Sequence, residues 1–70
     1  MNKEQKIKDK IEDLNEIRAM LKEDLEDLER RKNEFSEKKY KKLKEKYQKK
    51  IEKIRKKIKQ LEEKLQKIKS

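Results

Sequence analysis

The sequence predicts an all-α protein in which two long helices fold back on each other as an antiparallel coiled-coil hairpin. Three observations lead there: apolar residues recur every three or four positions through both halves, the recurrence fails once near the middle, and the two halves differ sharply in charge.

The first helix is expected over about residues 3–32. Its apolar positions are Ile7, Ile11, Leu14, Ile17, Leu21, Leu25 and Leu28, each three or four after the last, so they form one face of a helix. Asn33 is the best non-glycine residue at hand for a left-handed helix end, and Arg30, Arg31 and Lys32 just before it suit the negative end of the helix dipole.

A turn is expected over about 33–36. No Gly or Pro marks it, but Ser36 can cap the next helix through its hydroxyl, Glu37 follows in the first turn, and Phe35 can reach Tyr40 as a hydrophobic staple. The competing reading is one uninterrupted helix of 70 residues with Phe35 as a further core residue.

The second helix is expected over about 37–69. Leu43, Tyr47, Ile51, Ile54, Ile58, Leu61, Leu65 and Ile68 continue the stripe from Tyr40, with a stutter where Leu43, Tyr47 and Ile51 stand four apart. Folding the chain at the turn pairs the two stripes layer by layer, from Leu28 with Leu43 out to Ile7 with Leu65, and the paired numbers sum to 71 or 72 throughout. Charge agrees with this arrangement. Residues 1–35 hold 9 basic against 11 acidic side chains, a net −2, while residues 36–70 hold 16 against 5, a net +11. The acidic run Glu23, Asp24, Glu26, Asp27 and Glu29 should then face Lys44, Lys46, Lys49 and Lys50, which favours the antiparallel orientation.

The stretch Leu25 to Lys44 resembles the SHOCT-type short helical hairpin. Asn33 stands where that family has its turn glycine, Phe35 for its apolar turn residue, Ser36 for the cap and Tyr40 for the aromatic, while Lys39 departs from the usual acid. The resemblance implies a hairpin used for oligomerisation or attachment, with no catalytic residues to carry over.

Composition removes most enzyme chemistry. Charged residues make up 59% of the chain and apolar ones 29%, a balance near that of disordered segments, yet the dominant residues are strong helix formers at regular spacing. There is no His or Cys, hence no thiolate zinc site, no disulfide and no imidazole base. Carboxylate pairs such as Glu12 with Glu16 or Glu23 with Asp27 share a helix face, but carboxylate sites in helical bundles normally recruit a histidine, so neither a metal nor another cofactor is expected. No apolar run is long enough to cross a bilayer and the N-terminal residues lack a signal-peptide core, so a cytoplasmic protein is expected, with no membrane or small-molecule partner.

Function is expected to lie in contact with other macromolecules. A rod of two helices buries little, and Ala19 and Met20 widen the apolar face beside Ile17, which predicts self-association into a four-helix bundle or docking on a protein partner. The alternative is sequence-independent binding of RNA or DNA. Lys42, Lys46, Lys49, Lys53 and Lys56 repeat at four-three-four-three spacing away from the apolar stripe, a rail that could track phosphates. Such a rail is otherwise a solvated face, and neither arginines in number nor stacking aromatics accompany it.

Overall fold

The computed structural model describes residues 2–69 and is a helical hairpin. Helix α1 spans Lys3–Arg30, a single 3-10 turn spans Lys32–Glu34, and helix α2 spans Glu37–Lys69. The Cα atoms fill a rod of 50 × 15 × 14 Å, the length of the 33-residue α2 at about 1.5 Å per residue.

Both helix starts are capped by side chains that accept orphan backbone N–H groups. The Asn2 side-chain oxygen accepts from the Glu4 N–H at 2.7 Å. The Ser36 hydroxyl accepts from the Lys39 N–H at 3.2 Å, and the Ser36 carbonyl takes the Tyr40 N–H at 2.9 Å. The cap expected at Ser36 is therefore in place, and the uninterrupted helix is excluded.

The end of α1 differs from the expectation. The helix stops at Arg30, two residues early, and the connection runs from Arg31 to Ser36. Arg31 leaves helical geometry at φ −100°, ψ 17° while its N–H still donates to the Asp27 carbonyl at 3.0 Å. Its guanidinium reaches Asp27 on one side and Glu34 on the other, which ties the last turn of α1 to the 3-10 turn. Asn33 lies inside that 3-10 turn and, with no positive φ among the described residues, does not form a left-handed helix end. A tightened i→i+3 turn follows the helix end instead, Glu34 N–H donating to the Arg31 carbonyl at 2.9 Å.

The seam also differs at one residue. Ile17 is 46% exposed while Arg18 is half-buried. With Arg18 in that place, the seam row of α1 runs 7, 11, 14, 18, 21, 25, 28, an unbroken four-three alternation, with Glu4 before it and Asn15 beside it also half-buried. On α2 the matching row is 44, 47, 51, 54, 58, 61, 65, and facing numbers now sum to 72 in every layer. Geometry wins over hydrophobicity here, because a strict seven-residue repeat is what keeps a seam facing its partner along the rod. Arg18 consequently lies opposite Ile54, and Lys44 replaces Leu43 as the residue facing Leu28, although Leu43 stays half-buried beside it.

The core is thin. Leu28, Tyr40 and Ile58 are the buried hydrophobic residues among the described residues, none of them fully sealed from solvent, and no polar or charged side chain is buried there. The accessible surface is 6164 Å² for a chain of 8.8 kDa, against about 4,800 Å² for a compact monomer of that mass.

Candidate interaction surfaces

The rod offers four features to a partner: a tied turn, a lysine-flanked groove, a lysine rail, and an apolar pair standing outside the seam.

At the turn, Tyr40 and Leu28 form the buried plug, and charged groups close over it. Glu29 on α1 pairs with Lys44 on α2 at 3.3 Å. The Tyr40 hydroxyl, aimed at the Glu29 carboxylate, holds that carboxylate below its ordinary range, and Lys44 adds to the effect. The same carboxylate raises both the Tyr40 phenol and the Lys44 ammonium. Cations also stack on the rings: Lys32 lies 5.1 Å and Lys44 5.7 Å from the centroid of Tyr40, and Arg31 and Lys39 lie 6.0 and 5.9 Å from that of Phe35. Phe35 is half-buried, its backbone extended at φ −116°, ψ 152°. The pairing of Glu29 with Lys44 is among those the charge pattern predicts; sequence reading missed the part of Tyr40 in the cluster, because it treated Tyr40 as a seam and staple residue only. The signal for the pair was present, since Glu29 and Lys44 are adjacent to the paired Leu28 and Leu43.

Of the other charges expected to pair across the seam, Lys46, Lys49 and Lys50 have no carboxylate at ion-pair distance among the described residues. A second cross-helix pair closes the far end, Glu4 with Lys69 at 3.8 Å, Glu4 also holding Lys8 at 3.3 Å. Both cross-helix pairs have residue numbers summing to 73, one register from turn to open end.

Near the open end a groove of about 830 Å³ runs along one side of the seam. Ile7, Leu61 and Ile68 form its floor, and Lys3, Lys6 and Lys10 of α1 face Lys64 and Lys67 of α2 across it. It continues toward the middle of the rod as a shallower space of about 370 Å³ over Leu14 and Leu61, flanked by Lys10, Asp13, Lys57 and Gln60.

The lysine rail, Lys42, Lys46, Lys49, Lys53 and Lys56, is exposed along its whole length and enters no ion pair among the described residues. Seven-residue steps from Lys46 reach Lys53 and then Gln60, which lines the groove, so these two lysines lie on the groove's side of α2, while Lys42, Lys49 and Lys56 stand in the next row, farther from the seam. Tyr47 is half-buried in the seam and Tyr40 is buried, which leaves neither to stack on a base. Met20 is 63% exposed and stands next to Ile17 outside the seam, with Ala19 also exposed.

Among the described residues no group of three or more metal-ligating side chains gathers, and no helix is long and apolar enough to cross a membrane. No family model matches the chain, and neither a curated protein nor a solved structure is significantly similar to it.

Proposed function

We propose that this chain is a non-catalytic interaction module whose work is to associate with a second copy of itself. The observation that carries the reading is the placement of Ile17 and Met20, 46% and 63% exposed on a rod whose own buried hydrophobic core is three side chains among the described residues. A helix pair this thin gains from covering such a strip, and pairing of two hairpins into a four-helix bundle does so with the same seven-residue geometry the seam already uses. Its lack of His and Cys leaves little from which a catalytic centre could be assembled.

Sedimentation equilibrium tests this directly. The chain is expected to run as a dimer at micromolar concentration, and Met20→Glu combined with Ile17→Glu to run as a monomer with unchanged helicity. A monomeric parent protein at every concentration up to the millimolar range would remove the proposal.

One observation favours a second reading, in which the lysine side binds nucleic acid. Five unpaired, exposed lysines span residues 42–56 of α2, roughly 21 Å at about 1.5 Å per residue step. Binding of this kind is sequence-independent and weakens steeply with salt. Fluorescence anisotropy with duplex DNA and structured RNA between 50 and 300 mM salt decides it.

A further inference from the structure

The groove at the open end carries one sign of charge on both of its rims. Lys3, Lys6 and Lys10 stand along α1, Lys64 and Lys67 along α2, and Lys57 flanks the shallow continuation. Lys10 and Lys64 flank both parts from opposite helices. Lys3, Lys6, Lys10, Lys57 and Lys64 have no carboxylate at ion-pair distance among the described residues. The groove also touches Asp9 and Asp13, and the Asp9 carboxylate accepts from the Gln5 amide at 2.9 Å.

The rest of the same end is built differently. Glu4 joins Lys69 of α2 at 3.8 Å and Lys8 at 3.3 Å, and none of these three lines the groove. Flanking charges of a coiled coil select partners by attracting across the seam, as Glu4 does here and Glu29 does with Lys44. Along the groove lysine faces lysine instead, which works against the pairing of the two helices. Beneath the rims lies an apolar floor, with Ile7 and Leu61 half-buried and Ile68 46% exposed, and it continues over the half-buried Leu14. A double cationic rim over uncovered apolar surface is complementary to a ligand that is apolar along its middle and anionic along both flanks.

We propose that this groove receives an acidic amphipathic helix from a partner protein. Lys3 to Asp13 on α1 is ten residue steps and Lys57 to Ile68 on α2 is eleven, so the groove runs for roughly 15 Å at about 1.5 Å per residue. That length holds about three turns of helix. Apolar residues at i, i+3, i+4 and i+7 of the incoming helix lie on Ile7, Leu61 and Ile68, as a third helix packed against the seam. Its flanking carboxylates meet Lys3, Lys6 and Lys10 on one side and Lys57, Lys64 and Lys67 on the other.

Other anions use only part of this surface. An acyl chain has its charge at one end, whereas the lysines follow both rims for the length of the groove. A nucleic acid neutralises lysines but leaves the floor uncovered, and among the described residues no aromatic ring lines the groove to stack on a base. Ile17 and Met20 line neither part, so binding here goes beyond self-association and does not require it.

Fluorescence anisotropy with the full chain tests this. The probe is a labelled peptide of about 14 residues with Leu at i, i+3, i+4 and i+7 and Glu in the flanking positions, compared with a scrambled peptide of the same composition. At about 150 mM salt the patterned peptide is expected to bind with a micromolar Kd and the scrambled one at least about tenfold more weakly. Lys64→Glu, which sets an opposite charge across from Lys10, should weaken binding about tenfold and leave Tm unchanged or higher. Ile68→Ser removes only exposed floor and should weaken binding about threefold or more, with helicity unchanged by circular dichroism.

Equal affinity for the two peptides, or an Ile68→Ser protein that binds as well as the parent, would reveal a surface for polyanions in general and overturns the proposal. Absence of binding at millimolar peptide overturns it too. Sedimentation separates this site from the dimer. A parent dimer that the peptide dissociates places a second copy in the groove and overturns the partner helix, whereas a monomeric parent that binds the patterned peptide upholds it and removes only the self-association.

Discussion

Single positions decide which side of this molecule faces inward, and Arg18 is the most informative. A three- or four-residue spacing rule accepts either Ile17 or Arg18 after Leu14, and hydrophobicity favours Ile17. The structure takes Arg18, because the seven-residue repeat fixed by Ile11, Leu14, Leu21 and Leu25 leaves no choice at that layer. An arginine facing Ile54 with no ion pair among the described residues wastes a seam position. Arg18→Leu is expected to stabilise the hairpin by about 1 to 2 kcal/mol through added apolar burial, visible as a rise in Tm of roughly 4–8 °C per kcal/mol for a chain of this size. A Tm that falls would mean that Arg18 makes a contact the seam geometry does not account for. Ile17→Ser should leave Tm nearly unchanged in the monomer, since its side chain lies outside the seam.

At the scale of elements, what the sequence disclosed depends on how local the determining physics is. The helices, their antiparallel pairing and the start of α2 were legible, because the stripes need only the helical period and the Ser36 cap needs only its own hydroxyl three residues before Lys39. The end of α1 was not legible. It is set by Arg31 holding Asp27 and Glu34 at once and by a 3-10 turn that closes without any left-handed residue, neither of which has a short sequence signature. The stutter at Leu43, Tyr47 and Ile51 misled for a related reason: Lys44, polar at its tip and aliphatic along its stem, occupies the facing position at Leu28 where a search for apolar residues finds Leu43. That Lys46 and Lys53 stand in one row with Gln60 was present in the numbering, yet the side of the rod it belongs to became legible only once the groove lining showed which flank of α1 meets which flank of α2. These assignments predict opposite results for two neighbouring substitutions. Ser36→Ala should cost about 1 kcal/mol by orphaning the Lys39 N–H, whereas Asn33→Ala should be close to neutral because Asn33 supplies no left-handed end. Urea denaturation of both variants checks this, and equal losses would show that the turn is held differently.

For the molecule as a whole, stability rests on a long thin contact pinned at its two ends by Glu29 with Lys44 and Glu4 with Lys69. A rod frays from its ends, so these pins matter more than the modest strength of exposed ion pairs suggests. The turn-end pin also ties stability to pH. Glu29 has a carboxylate held below its ordinary range, so its contribution is fully present above the unfolded value, near 4.3, and is lost as pH falls through the depressed folded value. Tyr40 and Lys44 are raised, so their contributions are present below about pH 10 and are lost as pH climbs through the raised values. The chain should therefore be most stable on a plateau between roughly pH 5 and 9 and weaker on both sides. Acid adds to the loss, because protonating 16 carboxylates drives a net charge of +9 further upward along a rod already rich in lysine. Glu29→Gln separates the two effects. It removes the titrating partner of Tyr40 and Lys44 while most of the general repulsion persists, so its urea midpoint should fall less between pH 7 and pH 3 than the parent's. Parallel falls in the two proteins would place the pH sensitivity in the overall charge and not in the turn.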